Sequence, residues 1–229
     1  MSKKGKRYND ALTKYDSQHH HGGQESIEIV RSLAQAKFDE TIDLVVRLGV
    51  DPRKSEEMVR GTVALPSGTG KNVKVAVFAQ GADATAAKEA GADYVGGEDF
   101  AKKIQDGWLE FDRVVATPDM MAVVGRIGKI LGPRGLMPNP KTGTVTFEVE
   151  SVIKNIKAGQ VEFRADKLGN LHASVGKISF DADKLCENIS VLVDTVKRMK
   201  PSSSKGIYLR NFSLSSTMGP GIKVDPQTV

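Results

Sequence analysis

Two short segments of this 229-residue chain hold the residue types that meet a polyanion. KFDET (37–41) sets Lys37 and Phe38 at the entrance of a strand, with the Thr41 hydroxyl behind them. SSTMGP (215–220) ends another strand with Ser215, Ser216 and Thr217, followed by Met218 and Gly219. A cation, an aromatic ring, hydroxyls and exposed backbone are the groups that contact phosphate, 2′-OH and base faces in RNA. Glycine adds close backbone approach. A plainer reading stands beside this one, in which Phe38 is a core residue and STMG is a turn.

Other candidate chemistry falls away on inspection. SGTGKN (67–72) imitates a phosphate loop, but its first glycine position is Leu65, Asn72 follows Lys71, and a strand comes next where a helix is required. Gly96-Gly97 lacks dinucleotide-binding spacing after a strand and reads as a turn. His19-His20-His21 are neighbours in a loop without further ligands, so a solvated surface loop is the simpler reading and no metal is expected. Cys186 falls beside the apolar stripe of a helix, where a thiol is buried and inert. His172 alone reads as a structural or contact histidine. No carboxylates pair in an informative motif. The chain therefore reads as a binding protein that is not an enzyme and needs no cofactor. The rival is an α/β enzyme acting on a phosphorylated metabolite.

The net charge of +5 matters through its placement. Lys3, Lys4, Lys6 and Arg7 form a basic N-terminal arm without an acid, while the remainder is nearly balanced. Such an arm either reaches for phosphate or is a solvated tail. No stretch is long and apolar enough to span a membrane, and no apolar run follows the first cations as in a secretory leader. A single cysteine fits a reducing, cytoplasmic setting.

The middle of the chain alternates buried strands (VKVAVFA, ADYVGG, FDRVVAT) with helices (DATAAKEAG, EDFAKKIQDG, SVIKNIKAG), which predicts a parallel sheet with helices on its faces. Between them, Thr117 as N-cap, Pro118 at the first helical position and an apolar stripe at Met120, Val123, Val124, Ile127, Ile130 and Leu131 predict one helix, stopped at Gly132-Pro133. Gly125 and Gly128 inside it imply a neighbour packed too close for a side chain. The following loop, with Arg134, Pro138 and Pro140, presents cations on a rigid frame.

The flanks differ. Residues 38–48 place Phe38, Glu40, Ile42, Leu44, Val46 and Leu48 on one face of a strand. GTVALP is another strand, VEFRADKLGNLHASV a hairpin turning at Asp166–Asn170, and FDADKLCENISVLVDTVKRMK a helix capped by Asp181 with Phe180 and Leu185 spaced as a staple. KGIYLRNFSLSST and IKV add strands. The pattern is that of an α+β layer. LPSGTGKN (65–72) and KAGQ (157–160) read as connectors. The fold class is thus α/β in two domains: a split α+β domain from both termini (1–67 and 160–229) and an inserted Rossmann-like parallel α/β domain (68–159). Gly68, Gly70 and Gly159 are the expected hinge positions.

GKILGPRGLMPNPKTGTV, AGADYVGGEDF, KFDET with LGVDPRKSEEMVRGTVALP, VEFRADKLGNLHASVGK and STMGP, in this order, closely resemble the bacterial ribosomal L-one family over nearly the whole chain. The resemblance implies binding to the large-subunit ribosomal RNA of the mobile stalk, assistance to deacylated tRNA leaving the exit site, and repression of the protein's own operon messenger RNA. It places the main RNA surface on Lys37, Phe38, Thr41, Thr217, Met218 and Gly219, with Arg164, Asp166, Lys167, His172 and Asn211 as further contacts. Lys37, Arg164 and Lys167 would meet phosphates, Thr41 and Thr217 would bond 2′-OH or phosphate oxygens, and the Met218-Gly219 turn would lie flat on sugar or base. Residues 16–26 (DSQHHHGGQES) depart from the family's pattern, which puts the start of the first long helix in question.

Overall fold

The computed structural model describes residues 5–226 and 228, so Lys3 and Lys4 of the basic arm lie outside the described residues. The structure divides into two compact units, Met1–Gly70 with Val161–Val229, and Lys71–Gln160. In chain order the first unit begins with α1 (Lys6–Leu12), α2 (Gly23–Leu33), β1 (Thr41–Leu48) and β2 (Arg60–Ala64). The second holds β3 (Val75–Phe78), α3 (Ala82–Glu89), β4 (Tyr94–Gly96), α4 (Glu98–Gln105), β5 (Arg113–Ala116), α5 (Met121–Arg126), α6 (Gly128–Leu131) and α7 (Val149–Lys157). The first is completed by β6 (Gln160–Arg164), β7 (Asn170–Lys177), α8 (Ala182–Arg198), β8 (Leu209–Ser216) and β9 (Ile222–Val224).

The first unit is an antiparallel sheet in the order β7-β1-β8-β9. Strict alternation along β1 buries Ile42, Leu44, Val46 and Leu48 and turns Thr41, Asp43, Val45 and Arg47 the other way. The buried face packs on Ile27, Val30 and Leu33 of α2 and on Leu185, Ile189, Leu192, Val193 and Val196 of α8. On the opposite face Thr41, Asp43 and Val45 are half-buried and Arg47 is exposed. At α8, Asp181 has cap-like backbone angles, but its carboxylate makes no capping bond and pairs with Lys184 at 3.4 Å. Phe180 and Leu185 close over Gly176, where a Cβ would lie 3.0 and 2.8 Å from their side chains.

Three expectations change here. Phe38 does not join the buried face. It is 55% exposed, because the strand proper begins at Thr41. His21 is not in a solvated loop. It is buried, bridged in parallel to Val224, with Nδ1 3.0 Å from Glu25 Oε1 and Nε2 3.2 Å from the Asp16 carbonyl. The Asp166–Asn170 turn forms, yet among the described residues only an isolated bridge, Ala165–Leu171, joins its arms. β6 leaves to pair with β2, where Arg60 and Glu162 meet at 2.6 Å, because Val161 and Phe163 drop into the core.

In the second unit, β4-β3-β5 form a parallel sheet. Val75 and Val77 face one core with α3 and α7, and Ala76 and Phe78 face another with α4, α5 and α6. Burial on both sides is why this strand is an unbroken apolar run. The expected single helix after β5 is a 3-10 turn (Pro118–Met120) followed by α5 and α6, broken at Ile127. The stripe survives the break, with Met120, Val123, Val124, Ile127 and Leu131 buried. The glycines do not answer a close neighbour: among the described residues a Cβ at Gly125 meets nothing within 4 Å, and one at Gly128 meets only the Met137 side chain at ordinary distance. Two glycines at about 1 kcal/mol each weaken the helix where it breaks.

Candidate RNA interface

A carboxylate assembles the interface. Glu40 follows the alternation of β1 and is therefore buried, 2% exposed, which requires hydrogen-bond partners. It has them from both segments: Oε1 accepts from the Ala36 amide at 3.1 Å, and Oε2 accepts from the Met218 amide at 2.9 Å. Burial pushes its pKa up, but the Met218 amide, the neighbouring Ser216 hydroxyl, the Ala36 amide and the charge of Arg7 outweigh burial, so the pKa lies below the ordinary value. The Ser216 hydroxyl contributes from close by without hydrogen-bond geometry.

Around this tie the two segments interlock. The Thr41 amide donates to Thr217 Oγ1 at 3.0 Å, and the Thr217 amide donates to the Thr41 carbonyl at 3.0 Å. Asp39 accepts from the Ser179 amide and hydroxyl, and Lys177 Nζ donates to the Asp39 carbonyl. Phe38 and Met218, 55% and 54% exposed, stand out from this frame, and Lys37 is exposed. Gly219 meets its neighbour in its own turn: a Cβ there would lie 2.5 Å from Ser216 Oγ. Close approach to the Ser216 side chain accounts for the glycine, without an incoming ligand. Of the arm, Arg7 comes here too. Arg7 in α1 is within electrostatic reach of Glu40, and the Tyr15 hydroxyl donates to the Gly221 carbonyl at 3.3 Å.

Strand register distributes the remaining candidates. Val45 pairs with His172 and Ser213, and Arg47 pairs with Asn170 and Asn211, so His172 and Asn211 share the outward face with Thr41. Asp166, Lys167 and Arg164 sit at the opposite end of β1, where the Leu48 amide donates to the Gly169 carbonyl at 2.8 Å. Eight residues of strand separate the two ends by about 20 Å. Asp166 is occupied with its own turn, accepting from the Leu168 and Asn170 amides at 2.8 Å, with His172 Nε2 3.7 Å away. Arg164, Lys167 and Leu168 are exposed and line an open hollow with Pro52, Arg53 and Met58. Sequence reasoning thus grouped Arg164 and Lys167 with Lys37, whereas the sheet sets them at opposite ends. It also missed Glu40, whose signal was an acid at a buried position of an apolar alternation.

Residues 30–220 match the model of the ribosomal protein L1p/L10e family. The chain belongs to this family. It is therefore a structural, RNA-binding protein of the large ribosomal subunit, and the family is not one of enzymes. The match spans β1, the Asp166 turn and the end of β8, so every candidate contact lies within it.

Family membership gives the connector glycines a context. Gly68, Gly70 and Gly159 have φ of 69°, 69° and 107°, left-handed values that suit glycine. Gly68 is pinned within the first unit: buried Asn188 accepts from the Ser67 amide at 3.1 Å and donates to the Gly68 carbonyl at 3.1 Å and the Val175 carbonyl at 2.8 Å. A Cβ on Gly70 would lie 2.9 Å from the Lys177 side chain and 3.1 Å from the Phe180 ring.

Proposed function

We propose that the first unit, as a split RNA-binding domain, binds ribosomal RNA of the mobile stalk through the edge made by Lys37, Phe38, Thr41, Thr217, Met218 and Gly219. The observation behind this reading is the exposure of a ring and a thioether on a backbone locked by Glu40 and by the Thr41–Thr217 pair. Rigid display of exposed groups suits recognition of folded RNA by shape. His172 and Asn211 extend the surface along the sheet, and Arg164 and Lys167 meet phosphates at its far end. Asp166 shapes the far turn.

In the same reading the protein assists deacylated tRNA to leave the exit site and represses its own operon messenger RNA, whose leader would imitate the ribosomal site. It works in the cytoplasm on the ribosome. The inserted unit moves about the two connectors. Because Asn188 holds the Ser67 amide and the Gly68 carbonyl, the backbone change is taken up chiefly at Gly70 and Gly159.

Affinity measurements on stalk RNA test the core of the proposal. Phe38→Ala is expected to weaken binding roughly five- to hundredfold, the worth of a base–aromatic stack. Met218→Ala should weaken it with the fold intact. Wild-type affinity in both variants refutes the placement. Binding of the messenger leader, competed by stalk RNA, tests repression. A single unchanging inter-unit distance in single-molecule experiments, with and without RNA, refutes the hinge.

A further inference from the structure

We infer that Glu40 is the positioning residue of this interface, setting the Lys37–Phe38 segment and the Thr217–Gly219 turn at a fixed spacing without itself touching RNA. The inference rests on the RNA reading above.

The two segments are far apart in sequence, and few bonds join them. Met218 bonds through its amide to Glu40 Oε2 at 2.9 Å, while Oε1 of the same carboxylate holds the Ala36 amide at 3.1 Å, just before Lys37. One side chain therefore ties the backbone on both sides of the exposed Phe38–Met218 pair. The Thr41–Thr217 pair fixes only the strand ends behind them. Beneath the turn, Ser216 Oγ is buried without a hydrogen-bond partner among the described residues and occupies the space that a side chain on Gly219 would take. The turn is therefore drawn down by Glu40 onto a surface that fits glycine. Pre-ordered contacts bind more tightly because little entropy is lost on binding. A carboxylate is needed because both amides require acceptors. A glutamine has one acceptor oxygen, and its NH2 would face the other amide, donor against donor.

Glu40→Gln keeps the volume and breaks one tie. The variant is expected to fold, to show one of the Ala36 and Met218 amide resonances shifted upfield, and to bind stalk RNA about tenfold more weakly, the scale of lost preorganisation. Val193→Ala, a core truncation on α8, serves as a control that lowers stability without loosening the turn and should bind RNA with unchanged affinity. A second route leaves Glu40 alone. Gly219→Ala should lift the turn and weaken binding, and adding Ser216→Ala should restore it, because the nearest remaining Ser216 atom outside the backbone, its Cβ, lies 3.6 Å away. Wild-type affinity in folded Glu40→Gln, while Phe38→Ala and Met218→Ala lose affinity, overturns the inference and leaves the interface standing. Equal affinity loss in Val193→Ala, or no rescue by Ser216→Ala, also overturns it. Undiminished affinity in Phe38→Ala and Met218→Ala removes the interface, and the inference with it.

Discussion

Two carboxylates organise the two ends of β1, and they do so differently. Asp166 caps its own turn: its acceptors bind the amides of Leu168 and Asn170 and the Asn170 side chain, all within four residues. Glu40 reaches across the fold to Met218, a residue near the other end of the chain, and holds Ala36 as well. One end of the strand is thus shaped locally by a partly exposed carboxylate, while the other is shaped by the long-range bonds of a buried one. A loop of the first kind survives changes elsewhere in the fold, whereas one of the second kind exists only once β1 and β8 have paired.

The same difference decides what could be read from the sequence. The Asp166 turn was legible because an acid followed by Gly169 and Asn170 is local turn chemistry. The parallel sheet of the second unit was legible because burial on both faces makes unbroken apolar runs such as Val75–Phe78. Partnering was not legible. Nothing in VEFRADKL says that β6 will leave β7 for β2, and nothing in KFDET says that Glu40 will bond to Met218. His21 was misread for the same reason, since its burial depends on Val224 and the Asp16 carbonyl. The alternative that made Phe38 a core residue failed because the alternation was extended beyond the first paired residue, Thr41. The Lys37–Thr41 and Thr217–Gly219 candidates stood out as residue types, whereas Arg164 and Lys167 came only with the family resemblance, and strand register separates them from Lys37.

The sharpest way to break the comparison is to remove both acids. Glu40→Ala leaves two amides without acceptors in a buried setting, which costs about 2–6 kcal/mol at roughly 1–3 kcal/mol per unsatisfied group. Asp166→Ala frees amides that water reaches and should cost about 1 kcal/mol. With the sites about 20 Å apart, the double mutant should be additive in urea unfolding. Equal costs, or strong coupling, would show that the two ends are not independent.

Acid should sharpen the comparison next. Burial opposes ionisation of both groups, but the Met218 and Ala36 amides hold Glu40, and the Asn170 and Leu168 amides hold Asp166, below their ordinary values of 4.5 and 3.8. A lowered folded pKa means that the stability contributed is complete above the ordinary value and is lost as pH falls through the folded one. Stability should therefore hold from neutral pH to about 4.5 and decline below it. Glu40→Gln and Asp166→Asn should each flatten that decline, because each removes a carboxylate whose folded pKa is depressed. An unchanged decline in Glu40→Gln, read from urea unfolding at stepped pH, would contradict the assignment of the tie to Glu40.

The smallest effect separates the ends by salt. The far end offers Arg164 and Lys167 as exposed cations, whereas the Glu40 end offers Phe38 and Met218 beside Lys37. With about four to seven phosphates neutralised, the slope of log K on log salt should be about −3 to −6. Replacing Arg164 and Lys167 by Ala should reduce that slope by about 1 to 2, since each phosphate contact contributes roughly 0.7 to 0.9. Met218→Ala should lower affinity at every salt concentration and leave the slope alone, because a thioether releases no counterions. If Met218→Ala changes the slope, the turn is positioning a cation, and Arg7 or Lys37 is the group to examine. If the Arg164 and Lys167 replacement leaves the slope unchanged, the far end of β1 does not meet the RNA backbone, and the interface is confined to the segments that Glu40 joins.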